Sequence, residues 1–261
     1  MLNFVNYDDK KLDYFSQQVY DNLLHKFPGA ESIEKNFSAS WHDMFILSAL
    51  DGKRNGTFIE VGGDHPTFIN NTWILESQFG WKGISFEIEP AKASNYNSLR
   101  PGVCQCIDAT TCDMLQLVEQ NNLGTHIDYL QLDIEPSYQT LRALENIPFS
   151  DLSFSIIHFE HDYYSNHQNF SGHALHAYDK NIGQEVPKRA EEILTSFGYK
   201  LAIRNLGVYE DWYYNPETVD EEIINKLIKP DLGYNLDNFY WGHESVTNLP
   251  HDITTLDLDA Y

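Results

Sequence analysis

Basic residues are scarce in this sequence. Lys and Arg number 17 against 39 Asp and Glu in 261 residues, a formal net charge of -22. A phosphate backbone is held by clustered Lys and Arg, so DNA, RNA and anionic membranes are not expected as partners. Long apolar runs are missing as well: none approaches the roughly 20 residues that span a bilayer. The opening MLNFVNYDDKKLDYF has no basic flank followed by an apolar stretch, so a secretory signal is not expected and cytoplasmic placement is. The three cysteines, Cys104, Cys106 and Cys112, crowd one segment without a second CxxC or paired histidines, and neither zinc nor a disulfide is read there. One more absence raises a question. GTFIEVGGDHPTFINNT begins like the strand and glycine turn of a nucleotide-binding domain, but His65 and Pro66 stand where a third glycine would open the helix.

What is present suits a folded α/β protein. The hydrophobic fraction of 42% and aromatic fraction of 14% can fill one sizeable core. DDKKLDYFSQQVYDNLLHKF and SWHDMFILSAL repeat apolar residues near the helical period, the second with Ser40 as a cap. From TFIEV onward the pattern alternates: GISFEIE, VCQCID, IDYLQLDI and FSIIHFE read as strands separated by helices. That alternation predicts right-handed crossovers and a mostly parallel, doubly wound sheet covered on both faces. VPKRAEEILTSFG adds an amphipathic helix, YKLAIRNLGVYEDWYY two strands joined at a glycine, and VDEEIINKLI a last helix. Three parts are expected: an N-terminal helical extension over 1–52, the α/β core over 53–215, and an acidic C-terminal extension over 216–261 packed on that core.

In doubly wound sheets the ligand binds at the carboxyl ends of the strands. Here those ends carry Glu60, Gly62, Gly63 and Asp64, then Glu87 and Glu89, then Asp108, then Asp133 and Glu135, then Glu160 and His161. Glycines let the backbone approach a ligand, a carboxylate after the second strand can accept ribose hydroxyls, and one after the third can take an adenine amino group. Together they outline an adenosine site, although Asp108 before ATT also reads as a helix cap. A pyrophosphate wants free amides and few carboxylates. Glu60, Asp64 and Pro66 offer the opposite, which disfavours NAD and ATP and suits S-adenosylmethionine.

The same residues resemble a known family. GTFIEVGGDHPTFINNTWILESQFGWKGISFEIEP is similar to the opening of the FkbM-type S-adenosylmethionine-dependent methyltransferases, with NNT in place of their SNT. IDYLQLDIEPSYQTLRAL, FSIIHFEHD and WHDMFIL resemble further segments of that family, so the likeness runs from about Ser40 to Asp162. Pro136 stands where the family has glycine, and Tyr138 where it often has an acid. The resemblance implies a class I methyltransferase fold with a seven-stranded sheet and N-terminal helices. It also implies that Glu60, Gly62 and Gly63 meet the methionine part, with Asn71 and Thr72 lining the turn. Glu87 would hold the ribose, Asp108 the adenine, Asp133 would sit beside the methyl group, and Glu160 and His161 would face the acceptor.

The reaction so implied is O-methylation of a hydroxyl, on a sugar, a glycan or a small molecule. A base is required, and His161 and Asp133 are the candidates. A divalent cation such as magnesium is a second route, with Asp133, Glu135 and Glu160 as hard oxygen ligands. His158, His161, His167, His173 and His176 read either as metal ligands or as a loop over the acceptor, and Tyr163, Tyr164 and Trp212 either as sugar-stacking rings or as core. A homo-oligomer stays open. The rival reading is a methyltransferase-fold protein without catalysis that acts as a binding or assembly partner.

Overall fold

The computed structural model describes residue 20 and residues 23–38, 41–161, 180–206 and 210–228. Ser40, the stretch holding Tyr163, Tyr164, His167, His173 and His176, the Gly207 turn and the tail after residue 228 lie outside the described residues, as does most of the first expected helix. The end of that helix is corrected: residues 23–27 are not helical. Leu23 and Phe27 are instead buried in the core, just before Pro28, and a residue preceding proline is steered away from helical backbone.

Seven strands form one sheet. In chain order they are β1 (Thr57–Val61), β2 (Lys82–Phe86), β3 (Cys104–Gln105), β4 (His126–Leu132), β5 (Ser153–Glu160), β6 (Lys200–Leu206) and β7 (Glu210–Tyr214). Across the sheet the order is β3-β2-β1-β4-β5-β7-β6. The first five run parallel, while β7 is antiparallel to both β5 and β6. The doubly wound, mostly parallel sheet expected from the alternation is therefore present, and its order reverses between β1 and β4. VCQCID is shorter than expected, because β3 meets β2 only at Ser85 and Phe86 on the sheet edge.

The helices are α1 (His42–Ala49), α2 (Trp73–Phe79), α3 (Pro90–Leu99), α4 (Met114–Gln120), α5 (Ser137–Glu145), α6 (Lys180–Ser196) and α7 (Glu221–Leu227). Local signals set several ends. Pro90 opens α3 at a position that needs no amide hydrogen, and Gly80 closes α2 at φ 72°. Asp113 and Asp220 cap α4 and α7 by accepting amide bonds at 3.0 and 2.8 Å.

Alternation along the strands splits the core into two layers. Phe58, Tyr129, Ile156 and Trp212 face one layer with α1, α2 and α7. Ile59, Val61, Leu130 and Ile157 face the other, with Ala143 of α5 and with Val186, Ala190 and Leu194, spaced at four residues along α6. Buried residues from Leu23 to Ala49 and from Val219 to Leu227 share the first layer with the sheet. No helix among the described residues is long and apolar enough to cross a membrane.

Candidate functional site

The turn after β1 occupies the switch point, where doubly wound sheets receive ligands. The Asp133 amide donates to Val61 O at 3.0 Å, extending the β1–β4 pairing. A Cβ on Gly62, at φ 92°, would lie 1.7 Å from the Asp133 carbonyl oxygen, so only glycine fits. The Gly62 and Gly63 amides both donate to Phe86 O, at 3.0 and 3.1 Å. His65 then does what a third glycine would not. Its Nδ1 accepts the amides of Thr67 and Phe68 at 3.2 and 2.8 Å, and Pro66 carries no amide hydrogen. Asn70 N goes to Phe37 O and Thr72 N to the Asn70 side chain. Asp64, exposed beside the turn, pairs with Lys92 at 2.8 Å.

Glu60 is sealed beneath this turn, 1% exposed. Its Oε1 accepts Asn70 Nδ2 and Thr72 Oγ1 at 3.0 Å each. Its Oε2 accepts the Tyr96 hydroxyl at 2.7 Å and the Ser85 hydroxyl. Four donors meet a carboxylate with about four acceptor positions. Arg100, also buried, closes the network from behind: it donates to Tyr96 OH, to Asn70 Oδ1 and Thr72 Oγ1 at 3.0 Å, and to Glu76. Burial pushes the Glu60 carboxyl above its ordinary range, against the Arg100 charge and the hydroxyl donors. Asn71, also buried, donates to Gln131 of β4 at 2.9 Å. Glu60 and Thr72 thus brace the turn from within, and Asn71 ties it to β4 through its Nδ2.

Glu87 and Asp108 differ. Glu87 follows β2, is 8% exposed, and accepts the Glu89 amide on Oε1 at 2.8 Å, while Oε2 takes no hydrogen bond among the described residues. Asp108 caps its own turn through Oδ1, bonding Thr110 N and Oγ1 at 2.9 and 2.7 Å, and Oδ2 takes none among the described residues. The helix-cap reading of Asp108 is therefore corrected: Asp113 caps α4, and Asp108 closes the loop before it. Sequence reasoning passed over Ile88. It is 64% exposed between two glutamates, and an apolar residue in that setting past a strand end is a signal for a ligand surface. Arg100 and Tyr96 were passed over too, because nothing local joins them to Glu60. Burial pushes the Cys104 thiol up to about 12, helped by Glu60 and Glu87, which fits the packed, unreactive role expected of it.

At the far strand ends Asp133 and Glu160 are half-buried and Glu135 is exposed. Among the described residues no three His, Cys, Asp or Glu side chains group to hold a metal ion, so the expected site of Asp133, Glu135 and Glu160 is not formed. Asp133 and Glu160 lie at neighbouring ends of the paired strands β4 and β5, but Glu135 is two residues further along the chain and exposed, so a third carboxylate does not join them. His161 is fully buried, its Nε2 3.4 Å from Oδ1 of the equally buried Asp211, whose Oδ2 accepts the Tyr213 hydroxyl at 3.3 Å. Trp212 belongs to the core, stacked on His158 at 4.3 Å and 17° with Phe45 beside it. His158 accepts or donates at Tyr129 OH over 3.1 Å, and burial, with His42 nearby, holds its pKa well below the usual value.

The strand order and directions match one arrangement among doubly wound sheets: β3-β2-β1-β4-β5-β7-β6 with β7 reversed. The fold is the Rossmann-like methyltransferase fold. No protein-family model matches the sequence, and no curated protein matches it. Solved structures do. A candidate rRNA methylase from Clostridium thermocellum is similar at 13% identity, over 70% of this chain and 99% of that one, with a TM-score of 0.45. A SAM-dependent methyltransferase from Aquifex aeolicus is similar at 12% identity, over 78% and 94%, with a TM-score of 0.40. A TehB-like SAM-dependent methyltransferase from Corynebacterium glutamicum is similar at 11% identity, over 72% and 91%, with a TM-score of 0.38.

Proposed function

We propose that this protein is an S-adenosylmethionine-dependent methyltransferase of FkbM type that methylates a hydroxyl of a sugar, glycan or small-molecule acceptor in the cytoplasm. The observation that carries this reading is the turn after β1. The amides of Gly62, Gly63, Thr67 and Phe68 all donate within the protein and Pro66 has none, which leaves few amides for a pyrophosphate and favours a ligand without one. Unfilled carboxylate oxygens on Glu87 and Asp108 favour a hydroxylated, amino-bearing and cationic ligand over an anionic one.

On this reading residues 53–215 are the catalytic core. Glu87 Oε2 accepts the ribose hydroxyls, Asp108 Oδ2 the adenine amino group, and Ile88 covers the base. Gly62 and Gly63 let the chain approach the methionine part, and Glu60, Asn71 and Thr72 hold that turn in place. S-adenosylmethionine supplies an electrophilic methyl group on a sulfonium. The chain's own work is to align the acceptor oxygen with it, worth about 7–11 kcal/mol at the limit, and to take the hydroxyl proton. Asp133 and Glu160, half-buried at the ends of β4 and β5, are the carboxylates for that, with the His161–Asp211 pair behind them.

Calorimetric titration of S-adenosylmethionine into the protein, with Glu87→Gln as the comparison, tests the reading. Saturable binding weakened about tenfold or more in the variant is expected, the size of a lost hydrogen bond to a charged group. No binding by the intact protein would sink the enzyme reading and favour the non-catalytic one.

A further inference from the structure

His65 carries chemistry that its place in the turn does not use. Nδ1 accepts two backbone amides, from Thr67 at 3.2 Å and Phe68 at 2.8 Å. An imidazole nitrogen that accepts cannot also carry a hydrogen. The tautomer is thereby set by the backbone: Nδ1 is bare and Nε2 bears the proton. Among the described residues that Nε2–H meets no acceptor, and the half-buried ring lies immediately beyond the carboxyl end of β1, where the fold receives its ligand.

The charges around this turn are otherwise committed. Lys92 of α3 pairs with Asp64 at 2.8 Å and Glu89 at 3.3 Å. Arg100 is bound into the network of Glu60 and Glu76 and donates to Pro66 O at 3.2 Å. Asn70 gives its amide hydrogens to Glu60 and to His65 O. A ligand carboxylate arriving here would find these side-chain donors occupied, and His65 Nε2–H open.

We propose that His65 is a ligand-binding residue whose Nε2–H donates to the carboxylate of the amino-acid part of the cofactor. This rests on the S-adenosylmethionine reading and deepens it. Pro66 beside it restricts the backbone, and the Asn70 amide holds the His65 carbonyl, so the donor is presented by a fixed turn. The His-Pro pair thus replaces a phosphate-binding glycine with a carboxylate-binding imidazole.

The test uses two ligands that share the nucleoside and differ in the amino acid: S-adenosylhomocysteine, which has the carboxylate, and 5′-methylthioadenosine, which lacks it. The variant is His65→Asn, whose Oδ1 occupies the place of Nδ1 and can accept the same two amides as an Asx turn while the Nε2–H is removed. We expect S-adenosylhomocysteine to bind His65→Asn about ten- to a hundredfold more weakly than the wild type, with 5′-methylthioadenosine unchanged. Equal weakening of both ligands, or of neither, would overturn the proposal and leave His65 a turn residue. A wild type that binds neither ligand overturns the cofactor reading itself, and this proposal with it. Ring nitrogen NMR of the wild type gives a second reading that needs no variant: Nδ1 unprotonated throughout, and the Nε2 resonance moving with S-adenosylhomocysteine but not with 5′-methylthioadenosine.

Discussion

Gly62 faces the carbonyl of Asp133 so closely that a Cβ would lie 1.7 Å from its oxygen. This contact locks the first strand's turn to the end of β4, the two places between which a ligand at the switch point would sit. Glycine here answers two demands at once, the positive φ and the absent side chain.

Gly62→Ala is therefore expected to cost about 3 kcal/mol or more, from backbone strain together with overpacking against a main-chain atom. Gly102 is the control. It has φ 82° but nothing within 4 Å of an added Cβ, so Gly102→Ala should cost about 1 kcal/mol, the conformational part alone. Urea unfolding of both variants decides: equal losses would show that the Asp133 contact gives way easily.

Arg100 and Glu60 are expected to behave as a unit. Arg100→Met leaves the sealed carboxylate without its counter-charge and should destabilise by about 3–5 kcal/mol. Adding Glu60→Gln to that variant should cost far less than it does in the wild type, with a coupling above about 1 kcal/mol. Additive losses in the double-mutant cycle would refute the network.

Ile88 is 64% exposed and supports no core. Ile88→Ser should leave stability within about 0.5 kcal/mol while weakening nucleoside binding about tenfold, the size of losing part of an apolar contact. Thermal melts and calorimetry on the same sample separate the two. A changed melt with unchanged binding would make Ile88 structural.

Acid should unfold the protein partly through His158. Its folded pKa lies well below the unfolded value of about 6.5, so the unfolded chain binds the proton first. The stability is full above pH 6.5 and falls as pH drops below it, by about 1.4 kcal/mol per pH unit. Asp43 and Glu60 are shifted upward by burial and act in the opposite sense, losing stability as pH rises above their unfolded values of 3.8 and 4.5. The comparison that isolates His158 is the difference between wild type and His158→Gln in unfolding free energy at pH 7.5 and pH 5. A pH-independent difference would refute the assignment.

Much of the frame was legible in residue order. Apolar runs such as TFIEV and FSIIHFE mark buried strands because a parallel sheet covered on both faces needs them, and Gly62 marks the turn because only glycine meets its geometry. The strand-end carboxylates were legible too, as a set. Their roles were not. Glu60, Glu87 and Asp108 look alike in sequence, each an acid at a strand end.

Packing sorted them. Glu60 sits where the side chains of Asn70, Thr72, Ser85 and Tyr96 converge, and its oxygens are filled. Glu87 and Asp108 each keep one oxygen without a donor among the described residues. His161 was legible as a histidine at a strand end, but its burial against Asp211 depends on a strand that returns antiparallel from later in the chain. The alternation, the sheet class and the glycine turn follow from local periodicity and backbone limits, so residue order is enough to read them. Which carboxylates have both oxygens filled and which keep one spare depends on folding, because the donors that satisfy a charge come together from distant segments.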